Sequence, residues 1–249
     1  MVNDVLFLLV ILGANIIQGI TGFAGTILAM SPSLLLVGYP VAKPVLNVLA
    51  LLSGFYVFIG NTKNVNWKEL WKIVAWMAAG IAAGIFIKSL FSGQEGILQK
   101  LLGVFVVLLA VQGIYKMFRP KKNGEPEEEQ KPVSPATVLF LPLAGIVHGI
   151  FVSGGPLLVS YLTKKNLDKV TFRATISTVW VFLNTLVLFD DIRAGLWNPS
   201  LLKIQLIAIP FLLAGMFIGS KLYARMSQQL FMKITYVLLF ISGISLLVK

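Results

Sequence analysis

Apolar residues fill this chain in long runs separated by short basic loops, and most of the runs have nearly the length of a bilayer crossing. The stretches 45–60, 73–87, 101–115, 175–189, 204–219 and 234–248 approach the ~20 apolar residues that span a hydrocarbon core. A further stretch, 5–37, is apolar but interrupted by Gly19, Gly22, Gly25 and the pair Ser31-Pro32. As one helix it would be about 50 Å long against a core of roughly 30 Å. Glycine and proline in a helix interior would cost about 1 and 3 kcal/mol each. The pattern therefore predicts a break near 21–25 and a shorter arm after it. The second half predicts the same: an arm from about Ala136, a break near 152–155, and an arm starting at Pro156. Proline is well tolerated in a first helical turn.

The halves match residue by residue. Adding 130 to a position in the first half finds a related residue in the second: Gly19 and Gly149, Lys43 and Arg173, Trp67 and Trp197. After a small shift, Gly80 and Gly84 match Gly215 and Gly219. A duplicated apolar unit of this size is the mark of a secondary transporter, whose substrate site lies between the copies. The expected organisation is a first transmembrane repeat over 1–118, a polar cytoplasmic linker over 119–135, and a second repeat over 136–249. The linker holds Arg119, Lys121, Lys122 and a Glu127–Glu129 run among prolines, and such a stretch cannot build a core.

Loop charge decides whether each break reverses the chain. If 5–37 crossed once, Lys and Arg would divide almost evenly between the two sides. If it is a hairpin, each half has an odd number of crossings and the copies are inverted. Lys43, Lys88, Lys100, Arg193, Lys203 and Lys249 then lie outside and the other basic residues inside. That bias obeys the positive-inside rule. The expectation is an all-α polytopic membrane protein of two inverted-topology repeats. Each is a broken-helix hairpin plus three transmembrane helices, and both termini are extracytoplasmic. The N-terminus lacks a basic n-region, so it reads as a retained segment.

Composition agrees. Of 249 residues 57% are hydrophobic and 12% charged, and mean hydropathy is +0.86, whereas soluble domains carry about 25% charge. The net charge of +11 sits in loops between apolar runs, so nucleic acid is not an expected partner; the lipid bilayer and a small anion are. Homo-oligomerisation is compatible with the sequence but not dictated by it. No cysteine is present, which removes disulfides and thiolate chemistry.

None of the ten acidic residues lies deep in an apolar run. Intramembrane carboxylates are the usual cation ligands and proton relays, so cation transport is disfavoured. No acid–base pair is available for an enzyme, and no metal or cofactor is implied. An anion needs donors and positive dipole ends instead, and a helix that starts inside the membrane supplies both. The first break offers Gln18, Thr21, Gly22, Gly25 and Thr26; the second offers His148, Ser153, Gly154 and Gly155. Asn47 and its counterpart Ser177 follow on the next helices and are expected to face the site, with Asn184 a weaker candidate. His148, the only histidine, is the candidate for proton coupling because it alone there titrates near neutral pH. Lys43 and Arg173 read as interfacial anchors or, alternatively, as attractors of anions towards each entrance. For any one glycine, close helix packing explains the residue equally well.

The run Gln18-Gly-Ile-Thr-Gly-Phe-Ala-Gly25, its echo His148-Gly-Ile-Phe-Val-Ser-Gly-Gly155-Pro156, and the paired Gly80-x-x-x-Gly84 and Gly215-x-x-x-Gly219 resemble the TauE/SafE sulfite exporter family, also called the toluene sulfonate uptake permease family. The resemblance covers the chain except the linker. It implies a cytoplasmic-membrane permease for a sulfur-containing or organic anion such as sulfite or a sulfonate, working by alternating access. The first break reads Gly-Phe-Ala-Gly where many members have a richer glycine run. A passive anion channel on the same scaffold is the alternative.

Overall fold

The computed structural model describes residues 2–90 and 135–247 and, between them, 100, 104, 107, 108, 110, 111, 114 and 115. Most of the expected crossing over 101–115 and nearly all of the linker lie outside the described residues. The described helices are α1 (Val2–Thr21), α2 (Ala24–Val37), α3 (Tyr39–Asn61), α4 (Trp67–Leu90), α5 (Pro135–Val138), α6 (Phe140–Phe151), α7 (Gly155–Leu162), α8 (Lys169–Arg193), α9 (Pro199–Ala224) and α10 (Gln228–Leu247). Among the described residues, five stretches are long and apolar enough to cross a membrane: Val2–Thr21, Tyr39–Asn64, Trp67–Ile87, Lys169–Arg193 and Pro199–Ala224. The protein is a multi-pass membrane protein. Leu35 is 86% exposed and Ile59 76%, as side chains that face lipid can be.

Both predicted breaks occur. α1 ends at Thr21 and α2 starts at Ala24; α6 ends at Phe151 and α7 starts at Gly155. The turn residue in each is left-handed: Gly22 at φ 80° and its counterpart Val152 at φ 53°. Each amide closes the preceding arm, Gly22 N–H to Gln18 O at 2.7 Å and Val152 N–H to His148 O at 2.8 Å. Glycine takes this conformation freely, whereas a β-branched valine there is strained. α2 continues through Pro32 without a second interruption.

Each break turns the chain back on itself. Asn3, at the start of α1, donates to the carbonyl of Leu36 at the end of α2 (3.5 Å). Lys164, just after α7, donates to Thr137 of α5, beside the start of α6 (3.2 Å). At 14 and eight residues, the second arms reach only about 21 and 12 Å.

α3 and α8 run antiparallel along one seam. Lys43 meets Asp191 at one end, Asn47 donates to the Asn184 carbonyl midway (3.1 Å), and Asn66 N–H donates to Thr175 Oγ1 at the other end (3.0 Å). Glycines set the remaining crossings. α1 lies against α9 at Gly19, Gly215 and Gly219, and α6 against α4 at Gly80, Gly84, Gly145 and Gly149. A Cβ on Gly219 would stand 2.2 Å from the Ile16 carbonyl, and one on Gly145 would stand 2.2 Å from that of Met77. Backbones this close admit only hydrogen at the contact, the small-residue packing used between membrane helices. Ile11, Leu49, Ile73, Met77, Leu158 and Phe172 fill the core between these crossings.

Candidate functional site

The two breaks face each other. A Cβ on Gly155 would stand 3.4 Å from the carbonyl of Phe23, in ordinary contact. Between them lies a cavity of about 10 Å³ lined by both breaks and by α3 and α8, which is room for about one water. Five expected residues line it: Gln18, Thr26, His148, Ser153 and Gly155. Asn184, the weaker candidate, lines it too, as do Phe23, Ile27, Ala50, Val152 and Trp180, which the sequence reading missed. A polar stripe at helical spacing along α8 (Arg173, Ser177, Trp180, Asn184) is the signal that marks Trp180.

The first break is internally capped. The Gln18 side-chain oxygen accepts from Gly25 N–H (3.0 Å). Thr21 Oγ1 accepts from Ala24 N–H (3.2 Å) and, more distantly, from Phe23 N–H (3.4 Å), while donating to Ile17 O (2.9 Å). These amides at the start of α2 are therefore engaged by side chains of α1 rather than bare, which corrects the expectation for this break. The α7 break has no side-chain cap at its N-cap residue Gly154, and Pro156 has no N–H to offer.

Two of the tip glycines serve packing. A Cβ on Gly25 would stand 2.5 Å from Ala14 O, and one on Gly154 would stand 2.3 Å from Ala144 O, the equivalent carbonyl. In three dimensions Gly154, not Gly155, is thus the partner of Gly25. A one-residue slip in the second break frees Gly155 to face the cavity. Gly22 contributes its carbonyl, which accepts from the Trp180 indole N–H at 2.8 Å.

His148 takes the place of Gln18 but bonds outward, its Nε2 lying 2.9 Å from Asn184 Oδ1. Its ring stacks on Trp180, with centroids 5.1 Å apart and planes at 23°. An amide oxygen only accepts, so with Asn184 assigned this way Nε2 carries hydrogen. Among the described residues neither His148 Nδ1 nor Asn184 Nδ2 has a hydrogen-bond partner. The same holds for Asn47 Oδ1 and Ser177 Oγ. Asn47 is one bond from the cavity through the Asn184 carbonyl. Ser177 sits behind Gly22, where a Cβ would be 2.8 Å from its hydroxyl. Buried polar groups without partners are expensive, and several of them gather in or near the lining of this small cavity.

The two basic candidates differ. Lys43 is buried and ion-paired with Asp191, itself fully buried. Asp191 lies beyond the apolar run 175–189, in the last turn of α8, yet it is fully buried, with the Lys43 ammonium beside it. Arg173 is also buried, donates to Ser220 Oγ at 2.8 Å, and lies 4.4 Å from the centre of the Tyr223 ring. At this same end of α8, Glu69 accepts from Tyr161 Oη and Lys165 Nζ, each at 2.7 Å.

A family model described as sulfite exporter TauE/SafE matches residues 6–246. No curated protein matches the chain, and no solved structure does.

Proposed function

The chain belongs to the sulfite exporter TauE/SafE family, and from that premise we propose that it is a secondary transporter of a small sulfur oxyanion such as sulfite. The anion binds between the breaks at Phe23 and Gly155, and access alternates between the two sides of the cytoplasmic membrane. The observation that carries this reading is the water-sized cavity where the breaks meet, flanked by the unpartnered His148 Nδ1 and Asn184 Nδ2. Asn184 Nδ2, Thr26 and Ser153 offer donors to an oxyanion. Each hydrogen bond to a charged group contributes about 1.5–3 kcal/mol. The closed cavity has room for about one water, so the breaks part to admit an anion, and sulfite needs less opening than an aromatic sulfonate.

Two inverted repeats make the movement. The antiparallel α3–α8 seam, the two hairpins, and the reciprocal crossings of α1 with α9 and α6 with α4 support that arrangement. Inverted repeats rock about a fixed midplane site. In the same reading the linker 119–135 is cytoplasmic and both termini are outside. His148 couples a proton to the anion: with Nε2–H committed to Asn184, Nδ1 can donate to an anion only when the ring is protonated.

Uptake of radiolabelled sulfite into proteoliposomes tests the reading. Asn184→Leu is expected to lower saturable flux at least tenfold in a protein that still purifies monodisperse; undiminished flux would move the site elsewhere. His148→Gln is expected to flatten the pH dependence of the remaining flux, and an unaltered profile would remove His148 from coupling. A cavity this small supports a carrier over the channel alternative, and an Ohmic single-channel current would reverse that preference.

A further inference from the structure

We infer that Arg173 forms a second anion site, an entrance site on one side of the cavity only. This rests on the anion-carrier reading for the traffic it would serve, but not for its chemistry. Lys43 and Arg173 occupy equivalent positions in the two halves, and both are buried, at 1% and 6% exposure. A buried charge needs a counter-charge. Lys43 has one in Asp191. Among the described residues no carboxylate pairs with Arg173. The carboxylate nearest to it in sequence, Asp168, caps the first turn of α8 by accepting from Val170 N–H and Thr171 N–H.

What surrounds Arg173 is polar but not anionic. Ser220 Oγ takes one guanidinium hydrogen, and the Tyr223 ring lies against the guanidinium plane. Arg173 Nε and Tyr223 Oη have no hydrogen-bond partner among the described residues. One turn along α8, Ser177 Oγ is also without a partner and lies beside Gly22 of the first break. About one and two turns further along lie Trp180 and Asn184 at the cavity. Arg173, Ser177, Trp180 and Asn184 therefore form one continuous stripe from the Glu69–Lys165 end of the helix bundle to the cavity. A small oxyanion at Arg173 Nε completes the charge balance that a carboxylate supplies at Lys43. The opposite end of the seam, already neutralised by Asp191, has no such site.

The chain contains no cysteine, so Ser220→Cys places a single thiol beside the guanidinium. The probes are a methanethiosulfonate reagent bearing a sulfonate and its trimethylammonium analogue, each normalised to its rate with a free thiol. The anionic reagent is expected to react about tenfold faster at this position, the low end of electrostatic focusing in a charged cleft. Arg173→Gln in the same background should bring the ratio near one, while Arg173→Lys should retain most of it. Millimolar sulfate should slow the anionic reagent in the Ser220→Cys protein, a measurement that does not depend on the Gln variant folding. Equal rates for the two reagents, a preference that survives Arg173→Gln, no effect of sulfate, or a thiol that reacts with neither reagent each overturns the inference. Labelling needs no transport, so normal flux in Asn184→Leu would sink the central site and leave this one standing, and loss of the charge preference would do the reverse.

Discussion

The indole of Trp180 donates to the carbonyl of Gly22 at 2.8 Å, tying α8 of the second half to the break of the first. Gly22 is left-handed and its amide closes α1, while its carbonyl bonds across to the second half. Trp180 satisfies that carbonyl and holds His148 in a stack. One side chain thus fixes the separation of the two breaks.

Trp180→Phe keeps a ring beneath His148 but leaves the Gly22 carbonyl without its donor. The expected cost is about 1–3 kcal/mol, that of an unsatisfied buried group. It should appear as a lower thermal midpoint in detergent together with reduced sulfite flux. A variant with wild-type midpoint and flux would show that this bond does not organise the site.

Lys43→Met removes the buried cation paired with Asp191, at an expected loss of about 3–5 kcal/mol. Replacing both, Lys43→Met with Asp191→Leu, should recover most of that stability, because a buried pair and a well-packed apolar pair are often close in free energy. Denaturation midpoints of the two variants check this. Equal loss in the single and double variants would contradict the pairing.

The glycines separate into three classes by what a methyl group would meet. Gly145→Ala and Gly219→Ala drive a Cβ to 2.2 Å from a facing carbonyl and should destabilise the protein strongly. Gly13→Ala and Gly60→Ala meet nothing within 4 Å and should be neutral or slightly stabilising, since alanine is favoured over glycine in helices by up to about 1 kcal/mol. Gly155→Ala makes only ordinary contacts and should fold normally while crowding the cavity and weakening sulfite binding. Thermal melts with and without sulfite distinguish the three outcomes.

Asp168 caps α8 from outside the membrane-spanning segment. Hydrogen bonding with Thr171, side chain and backbone, and to the Val170 amide holds its carboxyl below the usual carboxylate range. A lowered folded-state pKa stabilises the fold above the unfolded value of about 3.9 and loses that contribution as pH falls through the folded value. Asp168→Ala should cost about 0.5–2 kcal/mol at neutral pH. The difference in midpoint from wild type should shrink as pH falls below about 4. A difference that is constant with pH would contradict the cap.

Spacing along the chain was enough to anticipate the five long apolar helices and both breaks to within a residue or two. Apolar length against bilayer thickness, and the cost of glycine and proline in a helix, act locally and can be read without a partner. Gln18, Thr26, His148, Ser153 and Gly155 were legible as cavity residues for the same reason, since they flank the breaks. Only tertiary structure decided which tip groups remain free. Gln18 and Thr21 cap their own neighbours, Gly25 and Gly154 are pressed against carbonyls of the preceding arm, and Trp180 and Phe23 complete the cavity from a distance. It likewise separated Lys43 from Arg173, which look alike in the repeat. Whether a buried charge is matched depends on what another helix brings beside it, and Asp191 lies nearly 150 residues along the chain from Lys43.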